Sequence, residues 1–189
     1  IRTQKDLDGL GALGDLGWYT CKLALWAFGF ERPAGVMAHP GGFTTSKGVL
    51  LKGGGTLVWE GNRCARMDYS FLLPSNQDAT IVCKKGNIRM SDFVLPREEK
   101  SAEFTVEEKP GIVVPDNGPT AVTGATRRVV CPTGGLPQET HMIETFTRCC
   151  KDPSGEESAR WRAEGRMTQE LVLALAKSGD ARPPVYVQL

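Results

Sequence analysis

Near the start the chain reads Gly9-Leu10-Gly11-Ala12-Leu13-Gly14 and then runs through an amphipathic segment to Gly29. These letters match the G-x-G-x-x-G turn of dinucleotide-binding folds, which works only when a buried strand feeds the turn and the pyrophosphate rests on the next helix's N-terminus. No such strand is available. Ile1 to Asp8 (IRTQKDLD) carry only Ile1 and Leu7 as apolar side chains, whereas a central parallel strand reads as a nearly continuous apolar run. The acidic residue required about 20 positions further on falls at Glu31, beside Pro33 in FGFERP. The glycines therefore introduce a helix that does something else. Leu13, Leu16, Thr20, Leu23 and Ala27 recur at helical spacing, with Tyr19 and Trp26 widening the stripe, and predict a helix of about four turns. Gly29 is placed to end it, since glycine enters the left-handed region without a β-carbon penalty.

After Pro33 the texture changes to short alternating segments separated by turn residues, the signature of antiparallel strands. Expected strands are Gly35–His39, Val49–Lys52, Thr56–Glu60, Cys64–Leu72, Ala79–Lys84 and Asn87–Ser91, with Glu60-Gly61-Asn62 and Lys85-Gly86-Asn87 at tight hairpin turns. Cys64, Arg66, Asp68 and Ser70 alternate against Ala65, Met67, Tyr69 and Phe71, so one face packs on helices and the other is free to meet a partner. Phe93 to Thr105 reads as a strand end, a charged link (Arg97 to Lys100) and another strand. Lys109 to Ala125, with three prolines, reads as an irregular loop, and Arg127 to Cys131 as an edge strand. Helices are expected over Leu136–Cys150, with Met142, Ile143 and Phe146 in a stripe, and over Gly165–Lys177. The segment Lys151–Ala163 between them is polar, and the tail alternates like a final strand. The fold class is α+β, an open, mainly antiparallel sheet with helices packed on one face.

A chain of 189 residues at 40% hydrophobic composition buries a normal core and fits one domain. A net charge of +1, from 23 basic and 22 acidic residues, leaves no footprint for nucleic acid or a membrane surface. No apolar run approaches the roughly 18 residues of a membrane span. The six cysteines form no C-x-x-C pair and only His39 and His141 are present, so no metal site is expected. Reduced thiols point to the inside of the cell, cytoplasm ahead of plastid. The start at Ile1 rather than an initiator Met suggests a fragment of a longer protein.

The order of these elements resembles the C-terminal half of the Gfo/Idh/MocA oxidoreductases. The resemblance is carried by Gly11-Ala12-Leu13-Gly14-Asp15-Leu16-Gly17-Trp18-Tyr19, by Asp68-Tyr69-Ser70-Phe71, by Gly86 to Phe93, by Pro137-Gln138-Glu139 with Met142 and Glu144, and by Thr168-Gln169. The GALGD-GWY spelling is similar to that of a plant and algal branch of uncharacterised members. It implies a glyceraldehyde-3-phosphate dehydrogenase-like C-terminal domain that contacts a small-molecule substrate and dimerises through its open sheet face. A separate N-terminal Rossmann domain would bind NAD or NADP and is absent from this chain, which alone would be inactive. Glu108-Lys109-Pro110 has the letters of that family's catalytic lysine motif but lies among sheet strands, where it is a decoy.

The resemblance aligns Tyr19 with the catalytic tyrosine of dihydrodiol- and xylose-dehydrogenase-like members. Oxidising an alcohol by hydride transfer needs a group to take the hydroxyl proton, and a phenol serves when a nearby cation stabilises the phenolate. Packing of the ring against the sheet is the competing reading. Asp15, one turn earlier, would orient substrate or the absent lysine, or simply suit a helix N-terminus. Trp18 and Lys22 are the candidate substrate-binding residues, with packing and a solvated surface charge as their respective alternatives. Arg127 and Arg128 point to opposite faces of their strand, so at most one serves a given pocket. A function from another class stays open, a non-catalytic interaction or dimerisation module without a nucleotide domain.

Overall fold

The computed structural model describes residues 3–98, 101–108, 111–113, 121–181 and 183–189, with the backbone alone for 111–113 and 121–123. A π-helical turn, Leu13–Gly17, leads into α1 (Trp18–Ala27). The order then runs β1 (Gly35–Ala38), β2 (Phe43–Thr44), β3 (Leu50–Trp59), β4 (Arg63–Ser70), β5 (Ala79–Cys83), β6 (Gly86–Met90), β7 (Ser101–Glu108), β8 (Gly111–Val113), β9 (Ala121–Thr123), β10 (Thr126–Pro132), α2 (Gln138–Lys151), α3 (Glu156–Asp180) and β11 (Val187–Gln188). Two compact units result, Ile1–Pro74 with Pro153–Leu189, and Ser75–Asp152.

In the first unit an antiparallel sheet is ordered β11-β1-β3-β2, with β4 also paired to β3. Register explains its two faces. Ala38, Gly55 and Met67 form one row across β1, β3 and β4, and Val36, Leu57 and Ala65 the next. These rows lie under the helices: Leu175 of α3 packs on Gly55, and Thr20 and Cys21 of α1 lie against the Met67 sulfur. Leu25, Val36, Leu57, Trp59, Leu171 and Leu175 are fully buried there, each contributing about 1.5–3 kcal/mol through removal of its surface from water. The alternate row, Met37, Thr56 and Arg66, faces away from the helices. On β4, Met67 and Tyr69 are buried while Cys64, Arg66 and Asp68 are exposed, the split that its alternation predicts. Burial pushes the Cys21 thiol up to about 12 and raises the Tyr69 phenol as well, so both stay neutral inside.

Two expected strands, Val49–Lys52 and Thr56–Glu60, are one strand. β3 continues through Gly53, Gly54 and Gly55 because those positions have no room for a side chain. Added β-carbons would lie 2.8 Å from the Tyr69 ring, 2.5 Å from an Asp68 oxygen and 2.6 Å from Leu175. The hairpin to β4 turns at Gly61 and Asn62 with φ of +70° and +60°, the positive values that glycine and asparagine adopt most readily. The tail strand is present as β11, antiparallel to β1.

The second unit holds a four-stranded antiparallel sheet, β10-β7-β6-β5, with β10 at the edge as expected. β8 and β9 pair as a separate two-stranded sheet, which corrects the irregular-loop reading at both ends of Lys109–Ala125. Residues 114–120 of that loop, Lys109 and Pro110 of the lysine-like motif, and Glu99 and Lys100 of the charged link lie outside the described residues. The predicted stripe of α2 is there, yet Met142, Ile143 and Phe146 remain 63%, 59% and 68% exposed. The last helix also differs from expectation. α3 begins at Glu156, so most of the polar segment Lys151–Ala163 is helical, with Glu156 and Glu157 in its first turn, where negative charge is favoured. All six cysteines are free thiols. Among the described residues no cluster suits a metal ion, and no helix is long and apolar enough to cross a membrane.

Candidate functional site

Asp15, Trp18, Tyr19 and Lys22 are brought together by one continuous helical stretch. Its start is held by the Gly11 N–H donating to Asp8 Oδ1 (3.1 Å). Gly11 itself takes φ +54°, with Leu50 O and Val49 close behind its Cα. Five residues, Leu13–Gly17, then follow a π-helical path; such widened turns occur mostly as single-turn bulges within α-helices and frequently at functional sites. The close seat of Gly17 on Tyr69, where a β-carbon would sit 3.3 Å from the ring, brings the bulge down onto β4. Asp15 lies within the bulge, half-buried, and Tyr19 is the second residue of α1.

Tyr19 is 46% exposed, and among the described residues its hydroxyl has no hydrogen-bond partner. Trp18 is half-buried against the edge of the core. Lys22 is paired and partly exposed: its Nζ donates to Glu164 Oε2 at 2.7 Å and stands 4.7 Å from the Phe30 ring centre and 5.2 Å from that of Trp161. These three partners were not picked out in the sequence. Glu164 lies 142 residues away, and the usable signal was the helical spacing of Trp161, Glu164, Thr168 and Leu171, which extends the last helix backward.

The helix ends in a Schellman arrangement. Gly29 N–H bonds to Trp26 O (3.0 Å) and Phe30 N–H to Leu25 O (2.7 Å), the pair of bonds that satisfies the last carbonyls. Gly29 has φ +61°, as its capping role requires, and Phe30 follows at +59°. Beyond it, Phe28 stacks on Trp59 with centroids 4.0 Å apart. Arg63 makes a two-toothed pair with Glu31 (2.8 and 2.6 Å), and those hydrogen bonds hold the Glu31 carboxyl below its ordinary range. The residue at the dinucleotide motif's acidic position is thus spent on an arginine.

Elsewhere the other polar candidates are engaged with neighbouring groups. His39 Nε2 shares a hydrogen bond with Thr56 Oγ1 (2.8 Å), and His141 bonds to the Thr133 carbonyl (3.1 Å) beside Glu144. In the second unit an open hollow of about 340 Å³ lies over the sheet, lined by Thr80, Arg89, Glu103, Thr105 and Arg128 among others. Arg128 is paired with Glu103 there. Arg127 instead reaches Glu108 at 3.8 Å, on the opposite face as strand alternation demands.

A helix with a π-bulge laid on an antiparallel sheet whose outer face is polar defines an α+β domain of the open-sheet class. Residues 1–89 match the model of the GFO/IDH/MocA C-terminal domain, the family that the GALGD and GWY residues resemble. Among solved structures the chain is similar to an aldose-aldose oxidoreductase from Caulobacter crescentus complexed with glycerol, with a TM-score of 0.68 at 16% identity. That alignment covers 100% of this chain and 50% of the other, so the chain spans about half the length of that protein.

Proposed function

We propose that the chain is the substrate-facing C-terminal domain of an NAD(P)-dependent oxidoreductase, a single functional domain whose Rossmann partner lies outside these 189 residues. It acts where a hydride moves between nicotinamide and a hydroxyl-bearing carbon of a sugar, polyol or dihydrodiol-like substrate. The observation that carries this reading is Tyr19, a phenol standing half-exposed immediately after a π-bulge on the family-matched helix. In this role it accepts the substrate hydroxyl proton as the hydride leaves. Stabilising a phenolate needs a cation, and Lys22, bound to Glu164, does not supply it. The cation therefore belongs to the nucleotide-binding half. Asp15 holds substrate or that cation, and Trp18 supports the helix from beneath.

The cofactor assignment has a direct test. Titrating NADH and NADPH against the 189-residue chain, followed by nicotinamide fluorescence, gives no saturable binding in the micromolar range. Micromolar affinity for either would place a nucleotide site within this chain and overturn the division of labour.

The open face of the β11-β1-β3-β2 sheet is the proposed homodimer surface. On β4, which pairs with β3 in that sheet, it carries Arg66 and Asp68, exposed and two residues apart, so a two-fold axis passing between them would set each arginine against the other copy's aspartate. Light scattering at rising concentration should report a dimer that Arg66→Glu weakens. A protein that stays monomeric throughout removes this partner.

A further inference from the structure

The outer side of β5 ends its sheet, since the order β10-β7-β6-β5 leaves no strand beyond it. Natural edge strands are guarded by a proline, a charge within the strand or a bulge. β5 has none of these: Ala79–Cys83 reads ATIVC and pairs with β6 in unbroken register. Lys84 and Lys85 join the two strands, and the pair that closes such a two-residue hairpin, Cys83 and Gly86, exchanges hydrogen bonds. By alternation Ala79, Ile81 and Cys83 turn their N–H and C=O groups to β6, while Thr80 and Val82 turn theirs outward. Among the described residues no main-chain group bonds to them there. Val82 is 77% exposed.

We infer that β5 pairs edge to edge with β5 of a second copy, antiparallel across a two-fold axis at Ile81. Charge selects this register. Asp78 and Lys84 stand three residues to either side of Ile81, both exposed, and neither has a hydrogen bond or ion pair among the described residues. With the axis at Ile81 each Asp78 lies opposite the other copy's Lys84, and Thr80 and Val82 exchange their outward hydrogen bonds. Moving the axis to Thr80 or Val82 sets Asp78 against Val82 or Gly86 and leaves both charges unmatched. On the opposite face the half-buried row Ile81, Ile88 and Val106 continues into the same row of the second copy, a run of β-branched side chains of the kind that stabilises cross-strand pairing. The contact is short, five residues from each chain, and so belongs with weak, reversible interfaces. It lies on a different strand from the face contact proposed for the first sheet and involves neither Tyr19 nor a nucleotide.

Amide hydrogen exchange of the 189-residue chain, read at rising protein concentration, tests the pairing. The Thr80 and Val82 amides exchange fast in dilute solution and slow as the concentration rises, while Ile81 and Cys83, bonded to β6, stay equally slow throughout. Lys84→Asp sets like charges across the axis twice over and raises the dissociation constant about tenfold. Asp78→Lys does the same, and the exchanged variant Asp78→Lys/Lys84→Asp returns to the parent value. Fast exchange at Thr80 and Val82 at every concentration overturns the inference. So does slow exchange in a chain that sediments as a monomer, which places another part of the same chain on that edge. Single variants that associate as tightly as the parent overturn the register. A dimer held by the open face of the first sheet alone leaves Thr80 and Val82 fast and responds to Arg66→Glu instead, so the two contacts fail separately.

Discussion

Replacing Gly11 by alanine lowers the unfolding free energy of the first unit by about 3 kcal/mol, the sum of two costs of independent origin. The first is conformational: Gly11 sits at φ +54°, where an L-residue loses roughly 1–2 kcal/mol to contact between its β-carbon and the backbone. The second is steric. The new methyl would fall 2.2 Å from the Leu50 carbonyl oxygen and 2.8 Å from Cγ1 of Val49, and neither yields easily, because Val49 is fully buried and Leu50 opens the central strand. Overpacking of this kind costs roughly 1–3 kcal/mol. Gly41→Ala separates the two terms, since Gly41 has φ +86° and nothing within 4 Å of its absent β-carbon. Its loss is about 1 kcal/mol, the backbone share alone. Urea unfolding followed by tryptophan fluorescence reads both, because Trp18, Trp26, Trp59 and Trp161 all lie in the first unit. Equal losses at the two glycines would show that the approach to β3 carries no weight.

That glycine shows what the sequence makes legible and what it does not. The polar run before Gly9 argues against a nucleotide cradle, and the close seat of Gly11 against Val49 and Leu50 gives its missing side chain another purpose. Strand alternation placed Met67 and Tyr69 inward and Arg66 and Asp68 outward correctly, because a period of two leaves no freedom once one face is buried. Gly61-Asn62 and Gly29 declared their turns because positive φ restricts residue choice so sharply. Elsewhere the local signal misled. Gly53-Gly54-Gly55 reads as a break, yet it is where Tyr69, Asp68 and Leu175 press on the sheet, a fact that resides in other parts of the chain. The π-bulge at Leu13–Gly17 leaves no mark in a pattern that tolerates either helical pitch. Lys22 reads as a surface charge on its own helix because its partners, Glu164 and Trp161, belong to a segment whose polarity hid its helical period.

On the proposed proton-transfer role, Tyr19→Phe, made in a protein that joins this chain to a nucleotide-binding half, lowers kcat about 10²–10⁴-fold, the usual contribution of a positioned proton-transfer group. The change deletes one oxygen and keeps the ring. Because that ring is 46% exposed and no described residue bonds to its hydroxyl, folding stability should move by no more than about 0.5 kcal/mol. Affinity for NAD or NADP should also hold, since in the proposed role the hydroxyl acts on the substrate alcohol. A transition-state role therefore predicts that kcat and kcat/KM fall together. A role in binding alone predicts a raised KM with kcat preserved. Lys22 gives no rescue, because its charge is already committed to Glu164 at 2.7 Å, so proton transfer has no second route along this helix. Steady-state rates of alcohol oxidation, with cofactor binding measured separately, distinguish these outcomes. Turnover within about twofold of the parent, well below the range of a general base, would make Tyr19 a surface ring and give the helix to the interaction-module reading.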